Sequence, residues 1–130
     1  MQDVQYHNDL HGADVMQMAY YMLNTQNLQQ ILNLNKLDCL CMIMAAACHD
    51  LGHDGYNNSY HVNAMTTRAI NSNDISVQEH FHASEFFRIL SDPDSNFTDK
   101  LSNQEFKLFR KRVIGLILAT DMAKHAADLS

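Results

Sequence analysis

Histidine and acidic residues recur in this sequence at spacings suited to a metal site. The chain has eight histidines in 130 residues, and imidazole is both a metal ligand and a proton carrier near neutral pH. His7 and His11 lie four residues apart, so they share one side of a helix or of its first turn. His49 and Asp50 close a strongly apolar run, where a buried ionisable pair requires a partner. A divalent cation would satisfy both pairs, since zinc accepts imidazole nitrogen and carboxylate oxygen together.

Further ionisable residues follow the same pattern. His53 lies in a glycine-rich turn, Glu79 and His82 are three residues apart in one predicted helix, and Asp121 follows the apolar run 113–119. A second, harder cation keeps most of its waters and is held by groups beyond its direct ligands. Taken alone, the residues are equally compatible with surface histidines and a helix-ending dipeptide. We interpret the remaining histidines as ordinary surface or interface residues: His61, His80 and His125.

Helices must position these groups. One proline, four glycines and eight methionines favour helices over strands. Apolar periodicity predicts an all-α array, with helices over residues 8–23, 36–49, 59–69, 76–90 and 102–119 and a loop with a short helical turn over 24–35. Helix 36–49 is apolar nearly all round, which predicts a buried, central position.

Three serines precede predicted helices and are expected to cap them. Ser59, Ser76 and Ser102 occupy the N-cap positions, where a hydroxyl accepts from a free backbone N–H. Glu79 and Glu105 follow three residues after the second and third serine, which predicts two capping boxes.

Composition excludes several classes of protein. The net charge of −6 argues against a nucleic-acid partner, which requires clustered lysine and arginine. The chain contains no signal-like N-terminus and no run of about 18 apolar residues, so we expect no membrane segment in it. Three cysteines confined to residues 39–48 predict buried free thiols rather than a disulfide framework.

Four motifs resemble, in order, the signatures of the class I 3′,5′-cyclic nucleotide phosphodiesterases. They are YHNxxHxxDV at residues 6–15, HDLxHxGxNNSY at 49–60, ExxH at 79–82 and ATDMxKH at 119–125. Together they cover nearly the whole chain. The resemblance implies an all-helical, HD-type phosphodiesterase catalytic domain, with a two-metal site that hydrolyses the 3′-ester bond of cAMP or cGMP.

The resemblance also implies a role for each matched residue. His11, His49 and Asp50 resemble ligands of the tighter metal, usually Zn²⁺, and Asp50 would bridge to a second metal, usually Mg²⁺ and alternatively Mn²⁺. His7 resembles the general acid that protonates the leaving 3′-oxygen. The groups that resemble holders of the second metal's waters are His53, Glu79 and Thr120. The positions that support the site are Asn58, Tyr60, His82 and Asp121, and Met122 matches a position near the substrate pocket.

Some features depart from the family pattern. Gly52 stands where many members carry Asp or Glu, and Asp54 where many carry Pro; we interpret both as turn variation. Phe81 replaces the first histidine of a common pair, for which we expect a tuning effect at most. Residues 1–130 are expected to be a partial catalytic domain. In the family a fourth aspartate ligand, a purine-binding glutamine and an aromatic clamp lie beyond the fourth motif.

Three functions stay open at this point. The first is cyclic nucleotide hydrolysis in the context of a full domain, with this chain alone expected to be inactive. The others are a non-catalytic structural or regulatory module and another phosphohydrolase of the HD superfamily. The filled ligand positions and the YHN and NNSY segments favour the first. The expected partner is a cyclic nucleotide, an oligomer is compatible with the sequence, and the expected location is the cytoplasm or the cytoplasmic face of a membrane.

Overall fold

The described chain is built from helices. A computed structural model describes residues 4–128, with side chains through residue 125. The elements are α1 (Asp9–Asn24), α2 (Leu28–Ile31), α3 (Lys36–Cys48), α4 (Asn58–Asn63), α5 (Thr67–Ser72), α6 (Val77–Leu90), α7 (Asn103–Leu118) and α8 (Met122–Asp128). No strand occurs between residues 4 and 128, which confirms the all-α prediction. None of these helices combines the length and the apolar character needed to cross a bilayer.

One stripe of α7 anchors the core. Phe109, Val113 and Ile117 are spaced by four residues and are 0% exposed, as expected for one face of an α-helix. They cluster with Cys41 and Ala45 of α3 and with apolar residues of α6. Helix α3 contacts α1, α6 and α7, so its central position is confirmed. Its other apolar positions are only partly buried, so it is not enclosed on every side.

Helices α1 and α3 approach each other closely at Gly12. A Cβ atom there would lie 2.9 Å from the carbonyl oxygen of Ala47, so only glycine fits without a shift of the backbone. Gly12 follows His11 directly, and Ala47 precedes His49 by two residues. The close packing of the two backbones therefore brings these histidines to one place.

The predicted helix 59–69 is wrong as a single element. Helix α4 begins two residues earlier than predicted, with Asn57 rather than Ser59 as its N-cap. It ends at Asn63, and Met65 has a φ of 48°, which a continuous helix does not allow. The Thr66 side chain then accepts from the backbone N–H of Ala69 and caps α5. A local cap thus outcompetes helix continuation, a known tendency of threonine.

The capping predictions divide between the two later serines. Ser102 and Glu105 form the expected capping box of α7. Ser76 has a φ of 43° and makes no capping hydrogen bond, so the predicted capping box of Ser76 and Glu79 is wrong. Its hydroxyl instead donates to Asp121 Oδ2 over 2.8 Å, and Glu79 accepts from the Asn58 side chain. Long-range partners have replaced the local cap.

Candidate metal centre

Four imidazoles surround the carboxylate of Asp50. Its Oδ2 atom lies 2.7 Å from His7 Nδ1, 3.3 Å from His11 Nε2 and 3.2 Å from His49 Nε2. Its Oδ1 atom lies 3.9 Å from His82 Nε2. The first turn of α1, the C-terminal end of α3 and the middle of α6 deliver these groups. Residues from distant parts of the sequence thus share one site.

Backbone carbonyls fix the tautomers of two of these rings. His49 Nδ1 donates to Ala46 O over 2.7 Å, and His82 Nδ1 donates to Leu51 O over 2.7 Å. A carbonyl only accepts, so each neutral ring carries its lone pair on Nε2. The His49 lone pair then lies 3.2 Å from Asp50 Oδ2, and two acceptors at that distance require a metal cation or a proton between them. This donor set fits a divalent metal, with the carbonyls as the usual outer partners of ligating histidines.

In the metal-free state, protonated imidazoles compensate for the negative charge of the Asp50 carboxylate. The hydrogen bond to Asp50 is the main reason that the pKa of His49 is raised. Burial is the largest influence on the pKa of Asp50 and would raise it, but the bonds and charges of His49 and His7 together outweigh burial and lower it. The carboxylate is therefore ionised and available to a cation at neutral pH.

Two overlapping groups have ligand atoms close enough to hold an ion. His7, His11 and Asp50 offer atoms within 4.8 Å of one another, and so do Asp50, His53 and His82. Asp50 belongs to both, which is the geometry that a bridging carboxylate requires. His7 thus lies at ligand distance, although the resemblance casts it as an acid, and His82 is a candidate donor as well as a supporting residue.

His53 is held by its neighbours in the turn. Its Nδ1 accepts from the backbone N–H of Gly55 over 2.9 Å, and its ring stacks on His7 with centroids 4.0 Å apart. Burial, then the nearby charge of His7, lowers the pKa of His53. A neutral ring with a free Nε2–H is suited to hydrogen-bond an oxygen ligand, such as water on a metal.

A cavity of about 920 Å³ opens in front of these groups. Most of the predicted site residues line it: His7, His11, His49, Asp50, His53, Asn58, Glu79, His82, Thr120, Asp121 and Met122. Tyr60 is not among the lining residues; its ring stacks on Tyr56 with centroids 4.1 Å apart. The structure therefore brings eleven of the twelve predicted residues to one cavity.

Hydrogen bonds orient the polar residues of the cavity wall. Asn58 donates to Glu79 Oε2 over 2.9 Å, which directs that carboxylate. Asp121 is 7% exposed and accepts from Ser76 and from the backbone of Ala123. The Thr120 hydroxyl donates to a carbonyl of α7 over 2.6 Å, so its oxygen is left as an acceptor.

One of the remaining histidines differs from its interpretation as an ordinary surface or interface residue. His61 is 2% exposed and contacts Thr66 Oγ1 and Asp54 Oδ1, so that interpretation is wrong. His125 is exposed, but it lines the cavity and contacts Ala119 O over 2.8 Å. The ATDMxKH spacing carries a signal for His125. No periodic signal marks His61, because its partners lie in loops.

The family follows from a direct comparison. Residues 6–130 match the model of the 3′5′-cyclic nucleotide phosphodiesterase family. The chain belongs to this family. It is 45% identical over 121 residues to the high affinity cGMP-specific 3′,5′-cyclic phosphodiesterase 9A of Pan troglodytes, covering 93% of this chain and 20% of the relative. It is 41% identical over 121 residues to the 3′,5′-cyclic-nucleotide phosphodiesterase regA of Dictyostelium discoideum, covering 93% and 15%.

The phosphodiesterase fold is equally clear from a solved structure. The phosphodiesterase domain of the RhoPDE fusion protein from the choanoflagellate Salpingoeca rosetta matches with a TM-score of 0.88 at 33% identity. The match covers 98% of this chain and 39% of that one. The chain spans between 15% and 20% of the two curated relatives above.

Proposed function

We propose that the protein containing this chain hydrolyses 3′,5′-cyclic nucleotides, cAMP, cGMP or both, to 5′-nucleoside monophosphates at a two-metal site. The observation that carries the proposal is the convergence of His7, His11 and His49 on Asp50 beside the 920 Å³ cavity. One relative is named as cGMP-specific and another for 3′,5′-cyclic nucleotides. Family membership therefore supports this substrate class.

The donor set supports two divalent cations that share Asp50. His11, His49 and Asp50 would hold the tighter ion, for which Zn²⁺ suits the two imidazole nitrogens. Mg²⁺ or Mn²⁺ suits the second position, because a hard ion keeps several waters. Bound cations neutralise the phosphodiester anion and activate water for in-line attack on phosphorus. In this proposal His53 would donate a hydrogen bond to the waters of the second ion, and Glu79 and Thr120 would accept hydrogen bonds from them.

His7 is proposed to protonate the departing 3′-oxygen. An alkoxide is a poor leaving group, and a positioned imidazolium supplies the proton it needs. His7 Nδ1 contacts Asp50 Oδ2 over 2.7 Å, so Nε2 is the nitrogen left to reach the substrate. The ring also stacks on His53, which restrains its orientation. Stacking and hydrogen bond together hold the acid beside the metal ligands.

The remaining residues are proposed to shape the pocket. Met122 is 75% exposed at the cavity and would contact the substrate through its flexible thioether chain. Asn58 and Asp121 would hold the walls through the hydrogen bonds described above. Tyr60, outside the lining, would act only through the helix α4 that it shares with Asn58.

The test is hydrolysis of cAMP and cGMP by the full-length protein after chelation and reloading with Zn²⁺ and Mg²⁺. We expect His11→Ala and Asp50→Ala each to lower metal-dependent turnover by at least about 100-fold, since each removes a proposed ligand. Asp99→Ala, at an exposed position between α6 and α7, is the matched control. Activity retained by either ligand variant would refute the site assignment. No turnover by the reloaded wild-type protein would refute the function.

A further inference from the structure

A second polar cluster lies behind the metal centre. We call Asp54, His61, Arg68 and Gln78 the clamp cluster. His61 and Gln78 are 2% and 3% exposed, and Arg68 and Asp54 are partly buried. Buried polar groups are costly unless every donor and acceptor is matched. None of these four residues has a role in the proposed chemistry, so their burial requires a separate explanation.

Arg68 makes the central contacts of the clamp cluster. Its Nη1 donates to Gln78 Oε1 over 2.6 Å, and its Nη2 donates to the carbonyl oxygen of Gly52 over 3.0 Å. The guanidinium carbon lies 3.5 Å from the ring centroid of Phe81. The planar guanidinium of arginine can stack on an aromatic ring while it donates hydrogen bonds in two directions, and the ammonium group of lysine cannot.

Gln78 and Asp54 extend the cluster along the loop. Gln78 Nε2 donates to Asp54 Oδ1 and to Tyr56 O, both over 2.7 Å. Asp54 Oδ2 lies 3.6 Å from Arg68 Nη1, and His61 Nε2 is 3.2 Å from Asp54 Oδ1. Helices α4, α5 and α6 are thereby all tied to the segment 52–56.

That segment lies within the turn that presents Asp50 and His53. Gly52 has a φ of 71°, and a Cβ atom there would lie 2.9 Å from Phe81 Cε1. The turn therefore packs closely against Phe81, and the carbonyl oxygen of Gly52 accepts a hydrogen bond from Arg68. The backbone bonds Leu51 N to Cys48 O and His53 N to Asp50 O are its local support, and the His82 side chain donates to Leu51 O. The clamp cluster adds the contacts of Arg68 and Gln78 with residues 52–56.

The departures from the family pattern meet at the same arginine. Gly52, Asp54 and Phe81 are the three departures, and each contacts Arg68, through a carbonyl, a carboxylate and an aromatic ring respectively. Asp54 and Phe81 make the contact through the side chain that departs from the pattern, whereas any residue at position 52 would supply the carbonyl. The interpretation of Asp54 as turn variation is therefore incomplete, because its carboxylate also meets Arg68.

We propose that Arg68 is a positioning residue, which holds the 50–55 turn so that Asp50 and His53 are set for the second metal ion. The inference rests on the proposed function for its metal site, but it concerns residues outside the proposed ligands. Outer groups that orient ligands typically alter metal affinity or activity by about 10 to 100-fold. Arg68 is expected to act in this range although it contacts no ligand side chain.

The experiment measures Mn²⁺ binding to the metal-free full-length protein by electron paramagnetic resonance, beside the Mn²⁺ dependence of cyclic nucleotide hydrolysis. We expect Arg68→Gln to raise a Mn²⁺ dissociation constant about tenfold, and the Mn²⁺ concentration for half-maximal activity in parallel. Arg68→Lys should show a similar loss, because an ammonium cannot reproduce the stacked fork. The control is Arg88→Gln, which removes an exposed arginine of α6 paired with Glu85.

A merely structural role gives a different result. It would lower the unfolding temperature and the active fraction while leaving both Mn²⁺ constants unchanged, and that outcome would overturn the proposal. Should Arg68→Gln fail to fold, Phe81→Leu keeps the hydrogen bonds and removes the stacking surface, and a rise of a few fold in the Mn²⁺ constant is expected. Unchanged Mn²⁺ binding in this variant and in Arg68→Lys also overturns the proposal. If the wild-type protein binds Mn²⁺ without hydrolysis, the proposed function fails, while the binding comparison still decides the role of Arg68.

Discussion

At the scale of single residues, histidine tautomers decide what the centre can bind. His49 and His82 each donate Nδ1–H to a backbone carbonyl, which leaves Nε2 of the neutral ring as an acceptor. His7 and His11 reach the same carboxylate from α1 and the residues just before it. Backbone geometry, rather than side-chain chemistry alone, therefore prepares lone pairs for a cation.

The buried imidazole of His82 predicts a loss of stability in acid. Burial lowers its pKa from the ordinary value of 6.5 to about 4. Between these values the unfolded chain binds a proton at this position and the folded chain does not, so stability falls as the pH drops from 6.5 towards 4. The loss is on the order of a few kcal/mol. His82→Asn keeps a donor for the Leu51 carbonyl but does not titrate.

Denaturant unfolding of the metal-free protein at several pH values in this window is the measurement. We expect the free energy of unfolding to depend less steeply on pH in His82→Asn than in the wild type, by a difference that corresponds to about one bound proton. His49 acts in the opposite direction: its raised pKa gives stability below 6.5 that is lost as the pH rises through the folded value. The effect of His82 is therefore read from the difference between variant and wild type, with His80→Asn as an exposed control on α6. An unchanged slope would contradict a neutral buried ring.

The resemblance of the four motifs to the phosphodiesterase family is sufficient to identify most of the cavity residues. Within one helix, as for Glu79 and His82, sequence distance translates into spatial distance, but spacing does not show which helices meet. The clamp cluster cannot be found in this way. Arg68 and Gly52 are separated by 16 residues and a helix break at Met65, and no periodicity connects them. Contacts between a helix and a loop that are distant in the sequence depend on tertiary packing.

At the scale of elements, the three serines predicted as caps separate local from long-range effects. Ser102 accepts from Glu105 N within a capping box. Ser76 points to Asp121 instead, and Ser59 lies inside α4 behind its actual cap, Asn57. The same residue type at similar positions therefore has three different energetic roles. The sequence pattern assigns all three to capping because each serine stands at the start of a predicted helix.

Alanine substitutions should rank these serines by role. We expect Ser102→Ala to lower the free energy of unfolding by about 1 kcal/mol through the lost cap. Ser76→Ala should cost about 1 to 3 kcal/mol, because a buried carboxylate of Asp121 loses a donor. Ser59→Ala should change stability by less than about 0.5 kcal/mol. Equilibrium denaturation of the three variants checks the order, and a loss at Ser59 as large as that at Ser102 would contradict it.

At the scale of the whole molecule, helices α1 and α2 expose many large apolar side chains. Helix α1 presents large side chains to solvent: Leu10, Met16, Met18, Tyr20, Tyr21 and Met22, between 37% and 76% exposed. Ile31 and Leu32 at the end of α2 are 72% and 56% exposed. Scattered exposed hydrophobic residues are normal, but a contiguous set is typical of a surface that packs against something.

The 130-residue chain by itself should therefore self-associate. Association would remove the apolar side of α1 and α2 from water, which is favourable in proportion to the area buried. Sedimentation velocity across a concentration series should show a rising sedimentation coefficient, and the double substitution Met18→Lys with Met22→Lys should reduce it, since both residues lie one turn apart on α1. Met65→Lys, at a more exposed position in the α4–α5 connection, is the control and should leave association intact. A chain that stays monomeric at all concentrations and unfolds cooperatively would show that this apolar side needs no cover, and that the core of α3, α6 and α7 is sufficient for an independent fold.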